Sequence, residues 1–388
     1  MRLNTLFLIL LAVCVSSAAS LIGMDALGAE PAPRNAAIIR NGFAPQNPAI
    51  SAFENRTKFG TSIQFESAEA QKDDNTVSLS SFTVPSISMI LPLGSLGVFS
   101  IGLEQKFFAN NRLELLDETS NIRLTSRVGI YEFLPSYSIR LPFFLSDFAV
   151  GTSYRVLFGN SFSTLERGPL DWGDEAWMAR NIIVTERERG YFESTSDWWK
   201  NFGYSLHYHK KTVDYFISYF PSIQMQQNIR KNIQFEREDR LGIPDTLQTH
   251  ERKEFFKLPN RFAHGVHFRF LQNKNLSLVH EQQRYDDPIS SYFAEYKISG
   301  TGLHYSPFFK RNDFGISAWY AEKYVKDINE YGASLFSDLW LGRRGTLIGI
   351  AFFGGYRQAK EPHWDEPFFG LRLNLTGVGN WGTSVRRR

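Results

Sequence analysis

Two short stretches place chemically capable residues at close spacing. His207-Tyr208-His209 carries two imidazoles two residues apart, and on an extended strand that spacing puts both on one face. A bound metal needs three or four ligands in fixed geometry. The stretch supplies two, which reads as a solvated pair at the rim of a sheet. His304-Tyr305-Ser306 sets a base and a hydroxyl on one face in the same way, as a base and a nucleophile would stand. No acidic or amide residue stands out nearby to orient the imidazole, as a triad requires. The reading is therefore a non-enzyme with no catalytic residue, no metal and no cofactor.

Other candidates are dispersed. Glu104, Lys106, Glu132, Arg140, Arg155, Asp214, Arg269 and Arg372 each interrupt a run of alternating residues. Charges set on one face of such runs either pair with one another or, as Arg155, Arg269 and Arg372 would, hold the carboxylate of a ligand. Asp171-Trp172-Gly173 and Asp197-Trp198-Trp199 lie in a stretch of some forty residues, long for an idle connection. Trp172, Trp198 and Trp199 are expected to bind a hydrophobic ligand over a mouth or to pack on neighbouring loops. Gly349 and Gly355 flank Ala351 in a strand-like run with no helix after it, so they make no phosphate loop.

The elements that must position these residues are strands. In EPFFGLRLNL (366–375), Phe369, Leu371, Leu373 and Leu375 form one set, while Phe368, Gly370, Arg372 and Asn374 form the other. A period of two means a strand with one apolar face. The pattern recurs around Phe99, Phe133, Phe148, Val213, Phe262, Phe314 and Ile348. Connections are short and long in turn. Short ones are LPLGSL (91–96), LPFFLSD (141–147), HKKT (209–212), LQNKN (271–275), SPFFKRND (306–313) and LGRRG (341–345). Long ones cover 67–77, 108–131, 159–201, 221–260, 284–296, 324–330 and 357–365.

An all-β, antiparallel transmembrane barrel of about fourteen strands sorts its connections in this way. About nine to eleven tilted residues then cross the bilayer. With the short turns in the periplasm both termini lie there too, Phe369 and its set face lipid, and Arg372 and Asn374 face a lumen.

The whole chain fits this reading. It has 388 residues, a formal net charge of +3 and 15% aromatic residues, with a mean hydropathy of -0.28. The near-neutral balance argues against a nucleic-acid partner. Residues 1–19 read as a signal peptide, with Arg2, an apolar core from Leu6 to Val15 and small residues up to Ala19, cleavage near Ala29 being the alternative. The single cysteine, Cys14, lies in this leader. Residues 20–58 carry four prolines and no clean alternation, and read as a tail or a plug ahead of a barrel over 59–388.

Asn47-Pro48-Ala49 stands about ten residues before the first strand, and FTVPSISMILPLGSLGVFSIGL (82–103) carries Pro-Leu-Gly at its turn. In these features the chain resembles the FadL-type family of outer-membrane long-chain fatty-acid transporters. The resemblance implies a fourteen-strand barrel, an N-terminal hatch holding the Asn47-Pro48-Ala49 motif, and passage of a small hydrophobic molecule across a lipid bilayer. PorV-type relatives of the same fold imply the alternative, a non-transporting scaffold with a secretion-system or adhesion partner.

Overall fold

The computed structural model describes residues 47–379 other than 73–74, 117–120, 143–144, 169–181, 195–196, 238–245, 259, 271–273, 285–296, 308–311, 324–327, 342–345 and 360–363. One antiparallel sheet dominates it. Its first strands are β1 (Thr57–Lys72), β2 (Asn75–Pro92), β3 (Val98–Leu116) and β4 (Asn121–Arg140). β5 (Phe148–Tyr154), β6 (Val156–Gly168), β7 (Ile182–Ser194), β8 (Phe202–His209), β9 (Val213–Phe220), β10 (Ile223–Arg237), β11 (Thr246–Leu258) and β12 (Asn260–Phe270) follow. The series ends with β13 (Lys274–Arg284), β14 (Lys297–Pro307), β15 (Asn312–Lys323), β16 (Ile328–Leu341), β17 (Thr346–Ala359) and β18 (Trp364–Gly379). No helix among the described residues is long and apolar enough to cross a membrane.

The sheet has eighteen strands, not about fourteen. The difference lies in four arms that are each broken once. Arg155 separates β5 from β6, residues 195–201 separate β7 from β8, Pro221-Ser222 separates β9 from β10, and β11 ends at Leu258 before β12 opens at Asn260. The two parts of each arm stay in line: β4 pairs with both β5 and β6, β6 with β7, β5 with β8, β7 with β10, and β9 with β12. Pro221 has no N–H for the ladder, which explains one break. Joining the four broken pairs among the eighteen strands leaves fourteen continuous passes. β1 pairs with β2 on one side and with β18 on the other, from Thr57↔Gly379 to Gln71↔Asp365, so the order of pairing returns to its start.

The strands also run longer than nine to eleven residues: β1 to β4 have 16, 18, 19 and 20. Much of what reads as long connections, at 67–77, 108–131, 159–201 and 221–260, is strand. These extensions carry charged and amide residues on both faces, Gln227 and Lys231 breaking the series Ile223, Met225 and Ile229 on β10, so the apolar period that marks a strand in sequence is diluted. Cross-strand charges serve them instead. Lys231 Nζ lies 2.5 Å from Glu186, and Arg252 Nη2 lies 3.3 Å from Glu188. β11 is the outer strand of this polar extension and pairs only with β10 among the described residues.

Burial follows the period of two. β9 buries Asp214, Phe216, Ser218 and Phe220 and exposes Tyr215 and Tyr219. β18 buries Glu366, Phe368 and Arg372, while Phe369 is 64% exposed. The two sets in 366–375 therefore fall on opposite faces. The exposed face carries apolar side chains such as Leu206, Leu335 and Phe352. It also carries a stack of Tyr320, Tyr331 and Tyr356, with ring centroids 6.3 and 6.0 Å apart.

Candidate functional site

The buried face of the ring holds the seat of the Asn47-Pro48-Ala49 motif. Pro48–Phe53 forms a 3₁₀ turn with its proline at the start, where a fixed φ and a missing N–H cost nothing. Ser51 Oγ donates to the Pro48 carbonyl at 2.9 Å, and Glu54 N to the Ser51 carbonyl at 2.9 Å. The sheet grips this turn at its backbone. Ala49 N donates to Ser205 Oγ on β8 at 2.9 Å, and Arg140 Nε on β4 donates to the Ala52 carbonyl at 3.0 Å. Ile50 packs on Phe216, Ala263 and Val279. Gly151 on β5 makes room: a Cβ there would stand 2.4 Å from Ala49 N and 2.8 Å from Pro48 C. Residues 20–46, the rest of the segment, lie outside the described residues, as do the signal peptide and Trp172.

His207 and His209 stand beside this seat. Asn47 Nδ2 donates to His207 Nδ1 at 3.3 Å, and the Phe53 ring lies 5.4 and 4.7 Å from the two imidazoles. The pair is not simply a solvated rim: His207 is buried, and Asp214 joins both rings. Asp214 pairs with His209 across the β8–β9 hairpin. It escapes a reading of single strands because the partner comes from the next one, and hairpin register is the signal that finds it. Arg269 binds the same carboxylate and donates to the Lys210 carbonyl at 2.9 Å, so it ties down the turn.

Arg155 fills the break between β5 and β6. It binds Glu132, donates to the Pro221 carbonyl at 2.8 Å, and lies over the Phe220 ring, which Arg261 covers at 4.5 Å. Arg372 binds Gln64. The three arginines singled out in sequence thus belong to three separate clusters, and among the described residues none meets a tryptophan. Trp172 is not described, and Trp198 and Trp199 are. They sit on the 3₁₀ turn Trp198–Asn201 between β7 and β8, 69% and 56% exposed.

A fourth cluster goes unread in sequence. Arg357 is 1% exposed and gives one nitrogen to each of three buried carboxylates: Nε to Glu330 at 2.9 Å, Nη1 to Glu366 at 2.6 Å, and Nη2 to Glu66 at 2.8 Å. Trp319 Nε1 donates to Glu330 at 3.0 Å.

Between the polar clusters the buried face is aromatic, and its rings lie over glycines of the neighbouring strand. A Cβ on Gly332 would meet Trp319 at 2.2 Å, one on Gly370 would meet Phe353 at 2.2 Å, and one on Gly355 would meet Phe368 at 2.7 Å. Gly265 and Phe216 repeat the pairing at 2.5 Å, and Gly203 and Phe220 at 2.3 Å. Trp319, Phe353, Phe368 and Ala68 form one cluster. A glycine opposite an aromatic lets the ring fold down onto the backbone instead of standing into the enclosed space. The rings of Trp319, Phe353, Phe368, Phe216 and Phe220 are thereby buried in the wall, among buried serines, arginines and carboxylates.

No protein-family model matches the chain, and no curated protein sequence matches it. Solved structures do. A Pseudomonas aeruginosa FadL homologue is similar with a TM-score of 0.60 at 9% identity, over 95% of this chain and 99% of its own. The fold is FadL-type. The Pseudomonas putida toluene transporter TodX matches at 0.57 and 11% identity over 89% of this chain and 93% of its own. The Ralstonia pickettii toluene transporter TbuX matches at 0.51 and 10% over 87% and 94%. In this FadL-type fold the Asn47–Phe53 turn and the aromatic clusters share the buried face, while Trp198 and Trp199 are exposed.

Proposed function

We propose that the chain is an outer-membrane β-barrel, closed between β1 and β18, that passes a small hydrophobic molecule past an N-terminal plug. The observation that carries this reading is the aromatic lining laid flat over glycines on the enclosed face. A molecule without charge gains from apolar contact along such a wall. The similarity to TodX and TbuX, both toluene transporters, makes monoaromatic hydrocarbons the first class to test. The molecule enters at the polar extensions, descends along Trp319, Phe353 and Phe368, and leaves when the Pro48–Phe53 turn yields. The short β2–β3 and β8–β9 turns lie in the periplasm with both termini. The alternative, a scaffold docking on a secretion-system partner, draws on connections such as 169–181 and 285–296, outside the described residues.

Gly332→Leu tests the lining. Its side chain displaces the Trp319 indole from the wall into the path. Uptake of labelled toluene by cells carrying this variant should fall to that of cells without the protein, at equal amounts of folded barrel. Undiminished uptake would remove the aromatic wall from the mechanism.

The membrane face has its own test. Phe352 and Leu335 are 62% and 51% exposed and lie opposite one another on β17 and β16. An arginine facing lipid near midplane costs about 2–4 kcal/mol. Phe352→Arg should lose that much stability in urea titrations of barrels refolded into vesicles, and wild-type stability would place this face away from lipid.

A further inference from the structure

We propose that His207, His209 and Asp214 form a binding site for a divalent first-row transition ion, with zinc as its probe, and that filling it fastens the Asn47–Phe53 turn to the sheet. The first half rests on the geometry of the cluster and is independent of what the barrel passes.

One ligand atom from each of the three residues lies within 4.8 Å of the others. Asp214 Oδ1 is 2.5 Å from His209 Nδ1 and 3.9 Å from His207 Nε2. Zinc bonds to nitrogen and oxygen of about 2.0–2.1 Å set tetrahedral donors about 3.3 Å apart. One pair must open and another close, and His209 has that freedom because its side chain is 42% exposed. His207 and Asp214 supply the fixed part, with side chains 1% and 3% exposed. Two imidazoles and one carboxylate suit zinc, cobalt or nickel. The set is too rich in nitrogen for calcium or magnesium, which take oxygen. Three protein donors leave a fourth position for water, as in open zinc sites.

The surroundings orient the donors. Arg269 holds Asp214 Oδ2, which turns Oδ1 alone toward the imidazoles. Its positive charge opposes a cation and lowers the affinity below that of the same three ligands without it. Phe53 lies against both rings.

Asn47 connects the site to the turn. A metal on His207 Nε2 requires a proton on Nδ1 and an acceptor for it. In the arrangement seen, Asn47 Nδ2 donates to Nδ1. Asn47 Oδ1 is buried beside it with no hydrogen-bond partner among the described residues. A half-turn of the carboxamide brings Oδ1 to accept from Nδ1–H, the pairing that metal on Nε2 demands. A metal-bound imidazole is the stronger donor, so the ion tightens the hold on Asn47 and on the turn that follows it.

Calorimetric titration of zinc chloride into the full mature chain, refolded without an affinity tag, tests both halves. The expected result is one saturable site per chain, absent in His209→Gln, with magnesium giving no heat. His209 lies at an exposed rim, and heat-modifiable migration checks that this variant is folded. Absence of saturable zinc binding in the wild-type chain, or its persistence in folded His209→Gln, would overturn the site. Asn47→Ala should weaken zinc binding about 10–100-fold, the usual cost of losing an orienting partner. Zinc should also slow hydrogen exchange at the Ala49 and Ile50 amides of the wild-type chain. Wild-type affinity in Asn47→Ala with exchange unchanged by zinc would overturn the fastening of the turn.

Discussion

Arg357→Leu should abolish the folded barrel, and the quadruple change that adds Glu66→Gln, Glu330→Gln and Glu366→Gln should restore it. The guanidinium shares its single positive charge among three carboxylates whose side chains are 3%, 3% and 0% exposed. Breaking one buried ion pair costs about 3–5 kcal/mol, because the charge left behind has neither water nor partner. Here one deletion removes the cation shared by three buried carboxylates, of which Glu330 keeps the Trp319 bond and Glu66 a bond from Gln64, against a typical total stability of about 5–15 kcal/mol. Leucine also forfeits the contact of the guanidinium with the Phe368 ring, 4.0 Å from its centroid. Glutamines keep the shape and remove the charge, so the quadruple variant separates electrostatics from packing. Heat-modifiable migration and urea midpoints in vesicles give the measurement. A single variant unfolding at the wild-type urea concentration would show that the three carboxylates find other compensation.

The second large effect belongs to Gly151→Val. Valine suits a strand, and the sheet should form normally. Its Cβ falls 2.4 Å from Ala49 N and 2.8 Å from Ala49 Cα. Both are backbone atoms that cannot rotate aside as a flexible side chain would. The Pro48–Phe53 turn must therefore leave its seat. In planar bilayers, single-channel conductance should rise from near zero to a clear open level. Deleting residues 30–50 should give the same level, and the two changes together no more, because both remove one obstruction. A closed channel in a correctly folded Gly151→Val barrel would show that the turn does not gate.

What the sequence revealed and what it hid share a physical cause. A period of two is visible only where the two faces of a strand meet different surroundings. Arg372, Glu132 and Phe369 lie on such strands, and their faces were legible. Pro48 marks a chain that cannot continue a ladder, and a 3₁₀ turn follows it. In the extensions charged and amide residues interrupt both faces and the contrast weakens. Lys231, Glu186 and Arg252 therefore read as loop, although their strands are continuous. Arg357 was lost for the same reason. It fell inside a stretch taken as connection, and its three partners come from β1, β16 and β18, far apart in sequence. The Trp198–Asn201 turn looks like loop in sequence because it is irregular, yet it sits between two strands of one pass. Asp214 shows the other kind of loss, a partner fixed by hairpin register and not by the spacing within one strand.

The polar extension built from β6, β7, β10 and β11 ends at β11, whose outer side has no ladder partner among the described residues. A strand edge left open would be a template on which foreign extended chains can zip. The run Glu251-Arg252-Lys253-Glu254 gives that strand charges of both signs over its middle. Any incoming strand would have to match the signs or bury unpaired ions. The residues that make this segment invisible as a strand in the sequence are also its protection against unwanted polymerisation, so Arg252→Val and Glu254→Val would trade a charged rim for a sticky one.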